Sequence, residues 1–252
     1  MKTKLDIAIE AAKKGGAHAL TYFQTNLTIE MKANNSPVTI ADRETEAVIK
    51  TAILAEDPTA NFVGEETGGS FDQDAYWLID PIDGTACFVH GIPLWGVLIS
   101  YIEHGEATVG VSYVPSQNEL MYAEKGKGAF LNDKPIHVSQ TSRIQDAFFT
   151  HGTLYKIIDR LPGFLEFTKQ TFKVRGMGDC FGYHLLATGR TEGIFDGGLS
   201  PWDLAGLKLI VEESGGKITN FKGEPWTFSD NNAIVTNGLV HEEVLHLVHN
   251  EP

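Results

Sequence analysis

The stretch WLIDPIDGTACF, residues 77–88, decides the reading of this chain. WLID reads as the end of a buried strand closed by Asp80, and Asp83 follows three residues later, ahead of Gly84 and Thr85. Two carboxylates therefore converge at the carboxyl end of a strand, where open sheets with helical connections place their ligands. The Gly-Thr step then opens a helix, whose first backbone N–H groups lack intrahelical partners and suit a phosphate. The same residues also fit an ordinary Asp-Gly turn, with Asp83 capping the helix.

Further acids stand on either side. FVGEETGG puts Glu65 and Glu66 after an apolar pair and before glycines, again at the end of a predicted strand. PVTIADRETE spaces Thr39 and Asp42 as a capping box, and SPWDLAG puts Asp203 in the first turn of a helix running on through Leu207, Ile210 and Val211. Taken singly, these are a solvated Glu-Glu loop and two well-placed helix acids.

Together and in this order, GEE (64–66), DPIDGT (80–85), PWD (201–203) and EESGG (212–216), with Asp42 in the early helix, resemble the inositol monophosphatase superfamily nearly end to end. Within it, PLWG (93–96), RGMGDCFGY (175–183) and LLATGR (185–190) are most similar to the histidinol-phosphate phosphatase branch. Ala86 departs from the basic residue usual there and from the Thr-Asn of the inositol branch. The resemblance implies an α+β fold, a layered α/β/α/β/α sandwich of two sheets covered by helices. It implies a magnesium-dependent phosphomonoesterase with two or three ions per site, for which manganese can substitute. Glu65, Asp80 and the Ile82 carbonyl would hold one ion, Asp80, Asp83 and Asp203 a second, and Glu65 with water a third, weaker one. Asp42 and the Thr85 hydroxyl would orient and deprotonate a water, supported by Glu66. The N–H groups of Gly84 and Thr85 would bind phosphate oxygens. Asp179 and Asp196 would read the alcohol portion, and two carboxylates suit the α-ammonium of histidinol. A homodimer is also implied.

Composition bounds the alternatives. The chain has 252 residues, 42% hydrophobic and 21% charged, and a formal net charge of −13 without a basic run, which opposes a general nucleic-acid binder. Carboxylates gathered on cations let an acidic protein take an anionic ester. Cys87 and Cys180 lie outside any CxxC spacing, and no apolar stretch is long enough for a membrane helix. The expectation is a cytoplasmic enzyme that meets a small phosphorylated metabolite, no nucleic acid and no membrane. An inositol-1-monophosphatase or a broad sugar phosphatase is the nearest alternative, and a non-catalytic metal- and phosphate-binding regulator the alternative of another class.

Periodicity predicts two opening helices, through Leu5, Ala12 and Phe23 and then from Thr39 to Ile53, followed by strands from about Tyr76 to Ile136. Beyond a soft boundary near 140 it predicts a strand at 147–150, one helix over about 155–171, a strand at 173–175 and further helices. The halves are 1–140, with most metal ligands, and 141–252, with Asp203 and the specificity residues. Trp77, Trp95 and Trp202 are expected in the core, His90 in packing near the motif, and His18, His241 and His246 on helix surfaces.

Overall fold

Thr3 starts the first helix by accepting from the Asp6 backbone N–H while the Asp6 carboxylate accepts from its own, and Thr39 and Asp42 repeat this device at the second. A computed structural model describes residues 2–26, 28–31 and 37–250. The helices are α1 (Lys4–Leu20) and α2 (Ile40–Leu54), with the short ribbon β1 (Glu30–Met31) and β2 (Pro37–Val38) between them. In α1, Ile7, Ala8, Ala11, Ala12, Gly15 and Ala19 are buried at helical spacing, so that face packs on α2 and on the first sheet.

That sheet has seven strands in sequence order: β3 (Phe62–Gly64), β4 (Ala75–Asp83), β5 (Gly96–Glu103), β6 (Glu106–Val114), β7 (Glu119–Glu124), β8 (Ala129–Leu131) and β9 (Lys134–Ile136). Only β3 and β4 pair in parallel, and the rest form an antiparallel meander. The short helix α3 (Thr85–Val89) leaves the end of β4.

The second sheet is ordered β11-β10-β12-β14-β13, from β10 (Phe148–His151), β11 (Lys173–Gly176), β12 (Gly193–Gly197), β13 (Lys217–Thr219) and β14 (Asn232–Thr236). Its outer helices are α4 (Leu154–Ile158), α5 (Phe164–Gln170) and α8 (His241–His249), whose Ile157, Phe164, Phe167, Val244 and Val248 pack with Phe149, Phe195 and Ile234. Between the sheets lie α6 (Asp179–Ala187) and α7 (Pro201–Glu213), sharing one apolar cluster with Leu98, Val114 and Met121 from the first sheet and Ile194 and Val235 from the second. The layers are thus helix, sheet, helix, sheet, helix, an α+β sandwich as expected.

Three expectations need correction. The single helix over 155–171 is two, because Pro162 has no N–H to donate and Gly163 follows it, so the chain turns with Leu161 still buried. His241 is fully buried, its ring nitrogens 3.1 and 3.0 Å from the hydroxyls of Thr219 and Thr236, and burial lowers its pKa to about 4. Trp77 and Trp95 are fully buried, but Trp202 is only half-buried. No helix among the described residues is long and apolar enough to cross a membrane.

The central helix α7, which carries Asp203, lies close on β6 because Gly110 of the strand meets Gly206 of the helix, backbone to backbone. A Cβ on Gly110 would fall on the Gly206 carbonyl oxygen, and neither backbone can give way as a side chain would. Gly110→Ala is expected to cost about 2 kcal/mol or more. Denaturant unfolding checks it, and a loss under about 0.5 kcal/mol would show that the two backbones part freely.

Candidate metal and phosphate site

Strands and helices bring the acids to one place by a defined irregularity. Along an unbroken strand, residues three apart face opposite sides of the sheet. Asp80 pairs with Leu98 and Asp83 with Gly96, so three steps on β4 oppose two on β5, and this bulge turns both carboxylates to one side. Asp203, in the first turn of α7, meets them there: one carboxylate oxygen from each of Asp80, Asp83 and Asp203 lies within 4.8 Å of the others. Glu65, just past β3, stands close enough to raise the pKa of Asp80.

Each acid is pinned by a backbone donor. The Ile82 N–H donates to Asp80 Oδ1 at 3.1 Å, the Cys180 N–H to Asp83 Oδ2, and the Ser200 N–H to Asp203 Oδ2 at 2.8 Å. These bonds do not offset the crowding. Burial first, and then neighbouring acids, push Asp80 and Asp83 well above the usual carboxylate range, and Asp203 rises to about 7 from burial and Glu65. A set of hard oxygen donors with no cationic partner among the described residues matches what a divalent cation of the magnesium type takes.

Asp42 and Thr85 meet across the site. Asp42 Oδ2 accepts from the Thr39 N–H at 2.7 Å and the Thr39 hydroxyl at 2.8 Å, and Oδ1 lies 3.2 Å from the Thr85 hydroxyl. Thr85 Oγ1 is also 2.9 Å from the Ile82 carbonyl. Burial raises the Asp42 pKa, and the Thr39 bonds hold it back. Gly84 precedes α3 with φ +83°, and a Cβ there would stand 2.9 Å from the Leu94 carbonyl oxygen. Glycine is thus required where the chain turns from the bulge to the N-terminus of α3.

A small cavity of about 100 Å³ adjoins the cluster, lined by Asp83, Asp179, Asp196, Asp203, Tyr183 and Lys156 among others. Asp196, at the end of β12, accepts from the Gly197 N–H at 2.9 Å and lies 3.5 Å from the Tyr183 hydroxyl. Burial and Asp179 raise its pKa to about 8. Asp179 opens α6 in the left-handed region, φ +51°, and burial raises its pKa.

Glu66 is half-buried, its N–H donating at 2.9 Å to Glu46, a residue sequence reasoning missed. Glu46 is fully buried, pairs with Lys50 at 2.7 Å and accepts from the Thr67 hydroxyl, so it anchors the GEE turn from below. An acid one turn after Asp42 on the inward face of α2, beside Thr45 and Ile49, was the available signal. Lys156 and Tyr183 were missed too. His90 is exposed, with Nδ1 2.8 Å from the Ala86 carbonyl, rather than packed beside the acids.

A model of the inositol monophosphatase family matches residues 1–252. The chain is 34% identical over 249 residues to a Thermotoga maritima fructose-1,6-bisphosphatase/inositol-1-monophosphatase, covering 97% of this chain and 95% of that one. It is 37% identical over 231 residues to a Chlorobaculum parvum histidinol-phosphatase, covering 88% of each. The solved Thermotoga maritima IMPase superposes with a TM-score of 0.91 at 32% identity, covering 97% and 96% of the two chains.

The raised carboxylates set the pH response of the protein stripped of cations. An aspartate titrating near 8 when folded but near its ordinary 3.8 when unfolded holds an extra proton in the fold between those values. Stability therefore falls as pH rises through that window, and Asp203 acts in the same sense. With chelator present, the Tm is expected to drop by several degrees from pH 5 to pH 8, and Asp196→Asn to shrink the drop. A flat or rising Tm in the parent protein would contradict it.

Proposed function

The chain belongs to the inositol monophosphatase family, and from that premise we propose that it is a magnesium-dependent phosphomonoesterase whose substrate is histidinol phosphate. What supports the reaction type is the convergence of Asp80, Asp83 and Asp203 with the Asp42–Thr85 pair. Glu65, Asp80 and the Ile82 carbonyl would hold one ion and Asp80, Asp83 and Asp203 a second, with Glu65 also serving a weaker third. Such cations supply a lowered pKa for bound water and neutralise charge on the phosphoryl group.

The residues of the chain do the rest. Thr85 Oγ1 accepts the proton of the attacking water as its own passes to Asp42 Oδ1, a carboxylate whose burial favours the protonated form. Glu66, fastened through its backbone to Glu46, supports that water. The N–H groups of Gly84 and Thr85 hold phosphate oxygens while water oxygen bonds to phosphorus and the ester P–O bond breaks. The alcohol leaves with a proton from water, and Asp42 returns its own proton to the hydroxide left behind.

Asp179 and Asp196 would take the α-ammonium of histidinol, a reading supported by the Chlorobaculum parvum relative. The Thermotoga maritima relative supports a second reading, an inositol or sugar phosphate. We take residues 1–140 and 141–252 as halves that share the site. A homodimer is supported by Tyr155, Leu165 and Phe172, which expose large apolar side chains. A cytoplasmic site of action fits the two free cysteines.

Phosphate release from histidinol phosphate, inositol 1-phosphate and fructose 1,6-bisphosphate, with magnesium and with chelator, tests the proposal. The expected result is a kcat/KM preference for histidinol phosphate, lost on chelation. Preference for another ester removes the histidinol assignment, and turnover that survives chelation removes the metal. Asp80→Asn is expected to lower kcat by about 10³-fold or more with the fold retained, since a removed charge at such a site costs several kcal/mol. Near-normal turnover by a folded Asp80→Asn protein would exclude Asp80 from the site.

A further inference from the structure

The cavity beside the acid cluster holds one cation of the chain's own, Lys156, on α4. Its side chain lies across Gly197 and Gly198, the pair that ends GIFDGG. A Cβ on Gly197 would stand 3.1 Å from Lys156 Cβ, and one on Gly198 would fall on the Lys156 ammonium itself. Gly198 has φ +87°, which by itself demands glycine there. The glycine pair clears the track along which this lysine reaches the cavity.

Among the described residues, the ammonium has no hydrogen-bond or ion-pair partner, although it stands near enough to Asp196 to bias that carboxylate toward its charged form. A half-buried ammonium facing a walled cavity without a fixed acceptor is a donor left for whatever enters. Asp83 and Asp203 belong to the acid cluster, which leaves Asp179, Asp196 and Lys156 as the charged side chains facing the alcohol, beside the hydroxyls of Thr153 and Tyr183.

We propose that Lys156 is a specificity-determining residue whose ammonium donates a hydrogen bond to an acceptor atom of the leaving alcohol, beside the donor group taken by Asp179 and Asp196. This rests on reading the site as that of a phosphomonoesterase. With both carboxylates ionised, as a bound ammonium between them favours, the pair and Lys156 leave one negative charge, which suits an alcohol with one net positive charge and a neutral acceptor close by. In histidinol the α-ammonium supplies the charge and the lone-pair nitrogen of the neutral imidazole supplies the acceptor. A polyol offers no cation, and a second phosphate places its charges against two aspartates.

The test compares Lys156→Met and Lys156→Arg with the parent enzyme on histidinol phosphate and on phenyl phosphate, whose leaving group carries no acceptor beyond the ester oxygen. In Lys156→Met the ratio of kcat/KM for histidinol phosphate to that for phenyl phosphate is expected to fall about tenfold, through KM, as for loss of one charge-assisted hydrogen bond. Lys156→Arg is expected to restore most of the ratio. An unchanged ratio, whether both esters hold or both fall together, overturns the proposal, because a merely structural lysine would affect them alike. If the parent enzyme prefers inositol 1-phosphate or fructose 1,6-bisphosphate, the histidinol reading fails by itself. The ratio taken with the preferred ester then decides for Lys156 if it falls in Lys156→Met and against it if it does not. If the parent enzyme hydrolyses none of these esters, both readings fall.

Discussion

Crowding of negative charge around Asp80, Asp83 and Asp203 is the constraint to which the rest of the structure answers. Three carboxylates within 4.8 Å, two of them buried, repel one another in a medium that screens weakly. The fold meets this with oriented backbone. Asp42, Thr85, Asp179 and Asp203 each stand in the first turn of a helix, so four helix N-termini turn their free N–H groups toward one region. That offset is partial, as the upward shifts of Asp80, Asp83 and Asp203 show. A protein keeps such a cluster at a cost to its own stability when something positive is to be bound there.

The cluster also ties the first sheet to the helices that lie between the sheets. Asp83 ends a strand of the first sheet but accepts from the Cys180 N–H of α6, and Asp203 comes from α7 between the sheets. Farther along α6, the buried His184 has Nε2 2.8 Å from the Ser112 hydroxyl and Nδ1 3.2 Å from Glu119, which Arg190 holds with two bonds of 3.0 and 2.9 Å. This polar chain runs from β6 and β7 through the helix, and it fixes how α6 lies on the first sheet. A shift of that helix would carry Asp179 and the Cys180 N–H with it.

Much of this was legible in the residues, and the losses have physical reasons. Strand ends, capping signals and glycine turns are local, so Asp80, Asp83, Gly84, Asp42 and Asp203 could be placed from sequence. The bulge at 81–82 is set by pairing with the later strand β5, and without it Asp80 and Asp83 would face opposite ways. Burial of His241 depends on Thr219 and Thr236, both on strands that its own helix only later covers. The break before α5 was different, since Pro162-Gly163 was in plain view and the apolar period simply ran across it.

The capping boxes explain why single motifs could not separate structure from chemistry. Asp42 gives Oδ2 to the cap of α2 and keeps Oδ1 for Thr85, and Asp203 caps α7 through the Ser200 N–H while joining the acid cluster. Each residue therefore serves a helix cap with one oxygen while standing beside or within the acid cluster. One carboxylate that starts a helix and serves the site gains its orientation from the cap, at no further cost in side-chain entropy. The wall of the cavity beside the cluster is built otherwise. Lys156 and the glycines at 197–198 lie on α4 and the end of β12, outside those caps, where a changed side chain leaves the acid cluster in place. That separation gives a physical route by which similar chains can keep the acid cluster and differ in the cavity beside it.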